Sequence, residues 1–228
     1  MIRPLLFFLL ALFLHPENLL AQEEHDAGLW TTLNLEKKLH PKWSVQLTEE
    51  IRLRDNLRHL NLFYTDLSLN WKSSDWLRTS LSYRWINKYQ QEEFFSFRHR
   101  LSLDLIIRKR LSRLVFSWRN RLQVEVQDFS SSPEGSRPEW YLRQRFEILY
   151  KSDSRLKPAF SWEARYQVRD PRQTETNGMW HRNRFQFGLQ YEVDKRSTLG
   201  CYYLIQQEYN VAEPMQLYIS GLEYSFQF

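Results

Sequence analysis

After Ala27 almost the whole chain alternates polar and apolar residues with a period of two. In "WSVQLTEEIRLR", Trp43, Val45, Leu47, Ile51 and Leu53 share one parity; Ser44, Gln46, Thr48, Glu50, Arg52 and Arg54 share the other. "LRTSLSYRW" sets Leu77, Thr79, Leu81, Tyr83 and Trp85 against Arg78, Ser80, Ser82 and Arg84. "FSWEARYQVR" sets Phe160, Trp162, Ala164, Tyr166 and Val168 against Ser161, Glu163, Arg165, Gln167 and Arg169. Side chains of an extended strand point alternately to its two faces, so these segments are strands with one polar and one apolar face. No helical spacing competes. Segments of this kind fall near 27–37, 43–54, 60–72, 76–88, 94–108, 113–127, 139–151, 156–169, 180–194, 197–209 and 214–228. Their connections alternate in character. "LHPK", "SSD", "RLS", "SDSR" and "DKR" are tight, whereas "DNLRH", "YQQEE", "DFSSSPEGSRPE", "DPRQTETNG" and "NVAEP" are longer or more polar. Antiparallel hairpins with short turns on one rim and longer loops on the other account for this.

A soluble sandwich and a membrane barrel both alternate. The segments here run to about 12–15 residues, against ~5–6 in globular sheets, which is enough to cross a bilayer at a tilt. Aromatic residues make up 16% of the chain. Trp43, Trp71, Trp85, Trp140, Tyr150 and Tyr191 stand near segment ends, as in the interfacial girdles of membrane barrels. The last strand, "LEYSFQF", carries Tyr224, Phe226 and Phe228 at alternate positions and resembles the C-terminal assembly signal of outer-membrane proteins. The first residues, "MIRPLLFFLLALFLHPENLLAQEEHD", combine Arg3, the apolar run Leu5–Leu14 and a small residue, Ala21. That run is too short to span a bilayer and has the form of a cleaved signal peptide. The residue after the cut, Gln22, is not cysteine, so no lipid anchor is expected there.

The expected organisation is a signal peptide over 1–21 and one domain over 22–228. The expected fold is all-β: an antiparallel, up-and-down transmembrane β-barrel of about 10–12 strands in the bacterial outer membrane. Bacterial single-chain barrels usually have an even strand number. The eleven segments therefore leave twelve strands, with one hidden, or ten, with the first outside the barrel, both open. The expected partners are outer-membrane lipid and, through Tyr224, Phe226 and Phe228, the barrel-assembly machinery, with the barrel a monomer. A periplasmic β-sandwich or a lipocalin-like binding protein is the soluble alternative.

"LWTTLNLEKKLHPKWSVQLTEEIRLRDN", "FYTDLSLNWK" and "WLRTSLSYRW" resemble a bacterial family of short, exported outer-membrane barrels catalogued as a domain of unknown function, DUF2490. The likeness is strongest over 29–88. It implies a fold and a location; its motifs mark strands and turns and lend no catalytic residue.

An apolar face turned to lipid sends the polar face into a lumen. Arg52, Arg54, Arg84, Arg98, Arg100, Arg119, Arg121, Arg143, Arg145, Arg165, Arg182 and Arg184 then form an inward cationic belt. Glu50, Asp66, Asp104, Glu125, Glu147, Glu163 and Glu192 are its acidic partners. Arg-x-Arg recurs in "RHRLSLDL", "RNRLQVEV", "RQRFEILY" and "RNRFQFGL", and residues two apart share a face. A small barrel fills its interior with side chains, and buried charges must be paired, so a charge-networked, closed lumen is expected. Its role is read as structural or transport-related in the envelope. A narrow anion-favouring pore is the alternative, since rings of like charge set selectivity in channels.

The middle residues of those motifs, His99, Asn120, Gln144 and Asn183, face outward by parity, into an otherwise apolar wall. Polar groups there are expected at the outer headgroup level, where their cost is small. The alternative is an outer-leaflet lipid-modifying enzyme with His99 near Asn120. It lacks a nucleophile, because Ser96 and Ser102 point inward by the same parity. The histidines have no ligand spacing, and no phosphate-binding or hydrolase motif appears. Catalysis, metal and cofactor are therefore not expected. The pI of 9.3 with interleaved aromatics is formally compatible with nucleic-acid binding, which an exported chain makes improbable.

Overall fold

The computed structural model describes residues 25–89, 94–128, 136–171, 174–211 and 214–228. The expected signal peptide lies outside the described residues. These form eleven strands: β1 (His25–His40), β2 (Trp43–Arg54), β3 (His59–Lys72), β4 (Leu77–Tyr89), β5 (Phe95–Leu111), β6 (Leu114–Gln127), β7 (Pro138–Tyr150), β8 (Leu156–Arg169), β9 (Met179–Glu192), β10 (Ser197–Glu208) and β11 (Gln216–Gln227). Each pairs with its sequence neighbours, and β11 pairs with β1, closing a barrel. A single 3-10 turn, Thr174–Thr176, interrupts the connection between β8 and β9.

All eleven segments are strands of one barrel, so neither twelve nor ten is correct. The odd number has a geometric consequence. Ten hairpin reversals bring β11 round in the same direction as β1, so the closing pair is parallel, against the fully antiparallel expectation. Its register runs from His25 opposite Gln216 to Glu36 opposite Gln227. Phe228 extends it: its N–H donates to the Glu36 carbonyl (3.0 Å) and its carbonyl accepts from the Lys38 N–H (3.2 Å).

The connections after β1, β3, β5, β7 and β9 form a turn rim, and those after β2, β4, β6, β8 and β10 a loop rim. Turn-rim chemistry is local. Ser112 takes a left-handed φ of 53° in the two-residue turn between β5 and β6. Between β9 and β10, Asp194 accepts the backbone N–H groups of Arg196 (2.6 Å) and Ser197 (2.8 Å). The Arg196 N–H holds the Asp194 carboxyl below its usual range.

Parity sorts the side chains as the alternation requires. Leu67, Leu81, Leu101, Leu103, Phe146, Phe187, Leu199 and Leu222 stand on the outward wall, each 43–55% exposed. All six girdle aromatics also face outward: Trp43, Trp71, Tyr150 and Tyr191 at the turn rim, Trp85 and Trp140 towards the loop rim. Trp43 stacks on Trp71 across β2 and β3. Tyr224 and Phe228 are exposed on the outward face of the last strand.

The interior is divided in two. Towards the loop rim it is packed by Trp30, Tyr64, Ile86, Tyr141, Leu204 and Ile219, with Ser96, Gln123 and Gln167 fully buried among the inward residues. Towards the turn rim several inward positions are small: Ser68, Ser80, Ser82 and Ser117 on β3, β4 and β6, and Ala159, Ser161, Gly188 and Gly200 on β8–β10. Space therefore opens on the turn side and closes on the loop side.

Candidate functional site

The repeated Arg-x-Arg becomes a two-row array once the strands pair. Arg121, Arg143, Arg165 and Arg182 are successive register partners across β6, β7, β8 and β9. Two residues nearer the turn rim, Arg119, Arg145, Glu163 and Arg184 form the next row on the same strands. Like charges directly opposite one another are unfavourable, so a four-arginine row requires counter-charge. Asp104 caps one end of the arginine row, opposite Arg121, and Glu208 the other, opposite Arg182.

The counter-charges are shared rather than matched. Arg121 makes a bidentate pair with Asp104 at 2.6 Å through each nitrogen. Glu163 accepts from Arg143 (2.5 Å), Arg119 (2.6 Å) and Arg184 (3.4 Å) at once. Glu125 accepts from Arg100 (2.5 Å) and Arg98 (3.2 Å). Arg52 pairs with Glu50, Arg84 with Asp66, Arg145 with Glu147 and Arg182 with Glu208. Among the described residues Arg54 and Arg165 make no ion pair. Buried Nε–H groups of Arg54, Arg98, Arg119, Arg143, Arg145, Arg165 and Arg182 have no acceptor among the described residues. The lumen is rich in donors and poor in acceptors.

Inward aromatics complete the site, and the outward assignment of aromatic residues overlooked them. The Arg52 guanidinium lies 3.6 Å from the centre of a Trp30 ring, Arg84 3.7 Å from Tyr64, and Arg165 3.6 Å from Tyr141. A planar guanidinium stacks on a ring face while its edge still donates, which lysine cannot do. The signal was present: Trp30, Tyr64 and Tyr141 share parity with Thr32, Asp66 and Arg143. Lys88 on β4 is a further inward cation, by the parity it shares with Arg84.

Three cavities meet around this array. A chamber of about 560 Å³ at the turn rim is lined by Lys38, Lys42, Lys72, Arg78, Arg108, Arg119 and Arg145, against Glu36, Asp75 and Glu147. A central cavity of about 230 Å³ lies deeper, and ten arginines line it against Glu50, Glu163 and Glu223 among the described residues. A side cavity of about 250 Å³ lies by Gly188, Gly200 and Tyr202. Arg145 lines all three.

The predicted acids divide. Glu50, Asp66, Asp104, Glu125, Glu147 and Glu163 pair with belt arginines. Glu192 does not; it sits half-exposed at the turn rim and pairs with Lys157. Its strand parity is right, but it stands at the last position of β9, beyond the belt.

The outward polar residues also rearrange. Asn120, Gln144, Ala164 and Asn183 are register partners on β6–β9, and Gln207 on β10 continues the row. The row climbs from mid-strand at Asn120 to the loop end at Gln207, because the pairing direction is inclined to the barrel axis. Asn120 thus stands mid-wall, away from either rim, beside Gln144, whose Oε1 accepts from Trp118 Nε1 (2.8 Å). His99 is not near Asn120: its register partner is Val126, while Asn120 lies opposite Leu105. His99 instead meets the Tyr83 hydroxyl (2.7 Å) and Asp128 (3.3 Å). Ser96 and Ser102 are buried in the interior, as their parity requires.

No sequence match was found among curated proteins. One family model covers most of the chain, from residue 27 to residue 216, and its description is a protein of unknown function. The geometry above is therefore that of one of its members: the chain belongs to the DUF2490 family.

Proposed function

We propose that this protein is an outer-membrane barrel, exported through a cleaved signal peptide, with a structural or transport-related role in the envelope and no catalytic one. The carrying observation is the apolar outward wall of a closed barrel, flanked by Trp43, Trp71, Tyr150 and Tyr191 at one rim and Trp85 and Trp140 towards the other. Strand length supports it. Twelve residues, the length of β2, β10 and β11, extend about 40 Å and rise about 28 Å when tilted by about 45°, close to the hydrocarbon thickness. On this reading lipid contacts the outward wall, a single barrel suffices as the working unit, and Tyr224, Phe226 and Phe228 present the last strand to the assembly machinery.

The test is fractionation followed by gel migration with and without boiling. Recovery with the outer membrane and a heat-dependent shift are expected; a detergent-independent soluble monomer overturns the reading. A pore is the second reading, favoured by the ten arginines around the central cavity. Packing of the loop-side interior by Trp30, Tyr141, Leu204 and Ile219 weighs against it. Planar-bilayer recording separates the two: a closed lumen gives no steady conductance, whereas a pore gives anion-selective steps reduced by Arg119→Glu.

A further inference from the structure

We propose that the turn-side half of the lumen is a blind binding pocket for a multivalent oxyanion of the phosphate or phosphoester class, admitted from the turn rim. The turn-rim chamber, about 560 Å³, has the volume of a small-ligand site and borders the central cavity at Arg119 and Arg145. The loop-side packing closes the far end, so a ligand entering from the turn rim meets the arginine rows as a floor.

Charge and hydrogen bonding both select an anion there. Among the described residues Glu163 is the only ion-pair partner of Arg119, Arg143 and Arg184, and one carboxylate cannot neutralise three guanidinium groups. Among the described residues the Nε–H groups of Arg119, Arg143 and Arg145 have no acceptor. The acids lining the two cavities, Glu36, Glu50, Asp75, Glu147, Glu163 and Glu223, leave a cationic excess against the arginines and rim lysines that line them. Guanidinium forks match phosphate oxygens in pairs, and several converging forks favour a group with more than one charge. Arg145 is the pivotal residue. It borders all three cavities that meet around the array, its only ion pair among the described residues is with Glu147, and its side chain keeps 28% of its exposure.

The same chemistry fits a phosphorylated solute or the headgroup of an anionic lipid reaching under the rim. Calorimetric titration of the folded full-length barrel in zwitterionic detergent at low salt distinguishes them, with inorganic pyrophosphate and dihexanoyl phosphatidic acid as separate probes. Tighter binding of pyrophosphate supports the solute form; at least tenfold preference for phosphatidic acid supports the headgroup form. In either case Arg145→Gln weakens binding at least tenfold. Glu147→Gln, which releases Arg145 from its carboxylate, strengthens it severalfold, a gain that misfolding cannot produce. Absence of binding of both probes by the unmodified protein, or binding that neither substitution changes, overturns the proposal. The outcome is independent of the membrane reading, which gel migration tests by itself.

Discussion

Asn34 on β1 donates its side-chain amide to the Glu223 carboxylate on β11 at 2.7 Å, across the parallel seam and 189 residues along the chain. The same amide reaches Ser225 (3.3 Å), and its oxygen accepts from Thr48 (2.7 Å) and Gln46 (3.2 Å) on β2. Every other pairing is preceded by a connection that limits its register; the seam has none, so side chains must specify it. Asn34→Leu keeps the approximate volume and removes all four bonds. It is expected to destabilise the barrel by about 1.5–3 kcal/mol, the range for a hydrogen bond to a charged group. The midpoint of the heat-dependent gel shift should fall accordingly. An unchanged midpoint would show that the backbone ladder alone sets the seam.

Gly221 leaves room for a ring. A Cβ at this position would fall inside the Tyr202 ring, which lies over the glycine from β10. Gly221→Ala should therefore displace Tyr202 and cost about 1–3 kcal/mol through overpacking. Tyr202→Ala removes the obstacle, so adding Gly221→Ala to it should cost much less than in the native background. Denaturant unfolding of the four proteins in the cycle measures the coupling.

Buried and rim carboxylates should differ sharply on neutralisation. Glu163→Gln strands Arg119, Arg143 and Arg184 without their shared counter-charge and is expected to cost about 3–5 kcal/mol. Glu192→Gln breaks only the pair between half-exposed Glu192 and Lys157 at the rim, worth about 0–1 kcal/mol. Equal losses in denaturant unfolding would mean that the interior array is not acting as a network.

Position on the outward wall gives an energetic reading of depth. Leu103 stands near the middle of β5 and Leu39 near the turn end of β1, both exposed. In phospholipid vesicles Leu103→Arg should cost about 2–4 kcal/mol and Leu39→Arg about 0–1 kcal/mol. Reversible urea unfolding reads both. Similar small values would place the wall in water and favour the soluble alternative.

Strand positions, facing and the charge belt were legible because a period of two is a local property. Leu101 and Arg100 are assigned by their neighbours alone. Which arginines meet was not legible, because register between strands is not local. Arg143 and Arg165 look unrelated along the chain, yet they are cross-strand partners. The same reason separates His99 from Asn120, which hairpin adjacency alone would bring together. The turn-side chamber was half-visible: Ser68 in "LSLNW" and the serines two apart, Ser80 and Ser82, in "LRTSLSYRW" show small inward residues, but not that their strands place them at one end. The parallel closing pair was missed, because an even strand number was expected where the alternating segments number eleven.

The parallel seam also constrains how the polypeptide can be re-routed. β1 begins at the loop rim, whereas β11 finishes at the turn rim. Joining those two points, as a circular permutant requires, means spanning the full height of the wall, about 28 Å for a 12-residue strand tilted by about 45°. In an all-antiparallel barrel of even strand number the same join is a short turn. New termini are therefore easily opened in a hairpin connection, but the old ones cannot be closed by a tight linker, and this fold has a fixed first and last strand.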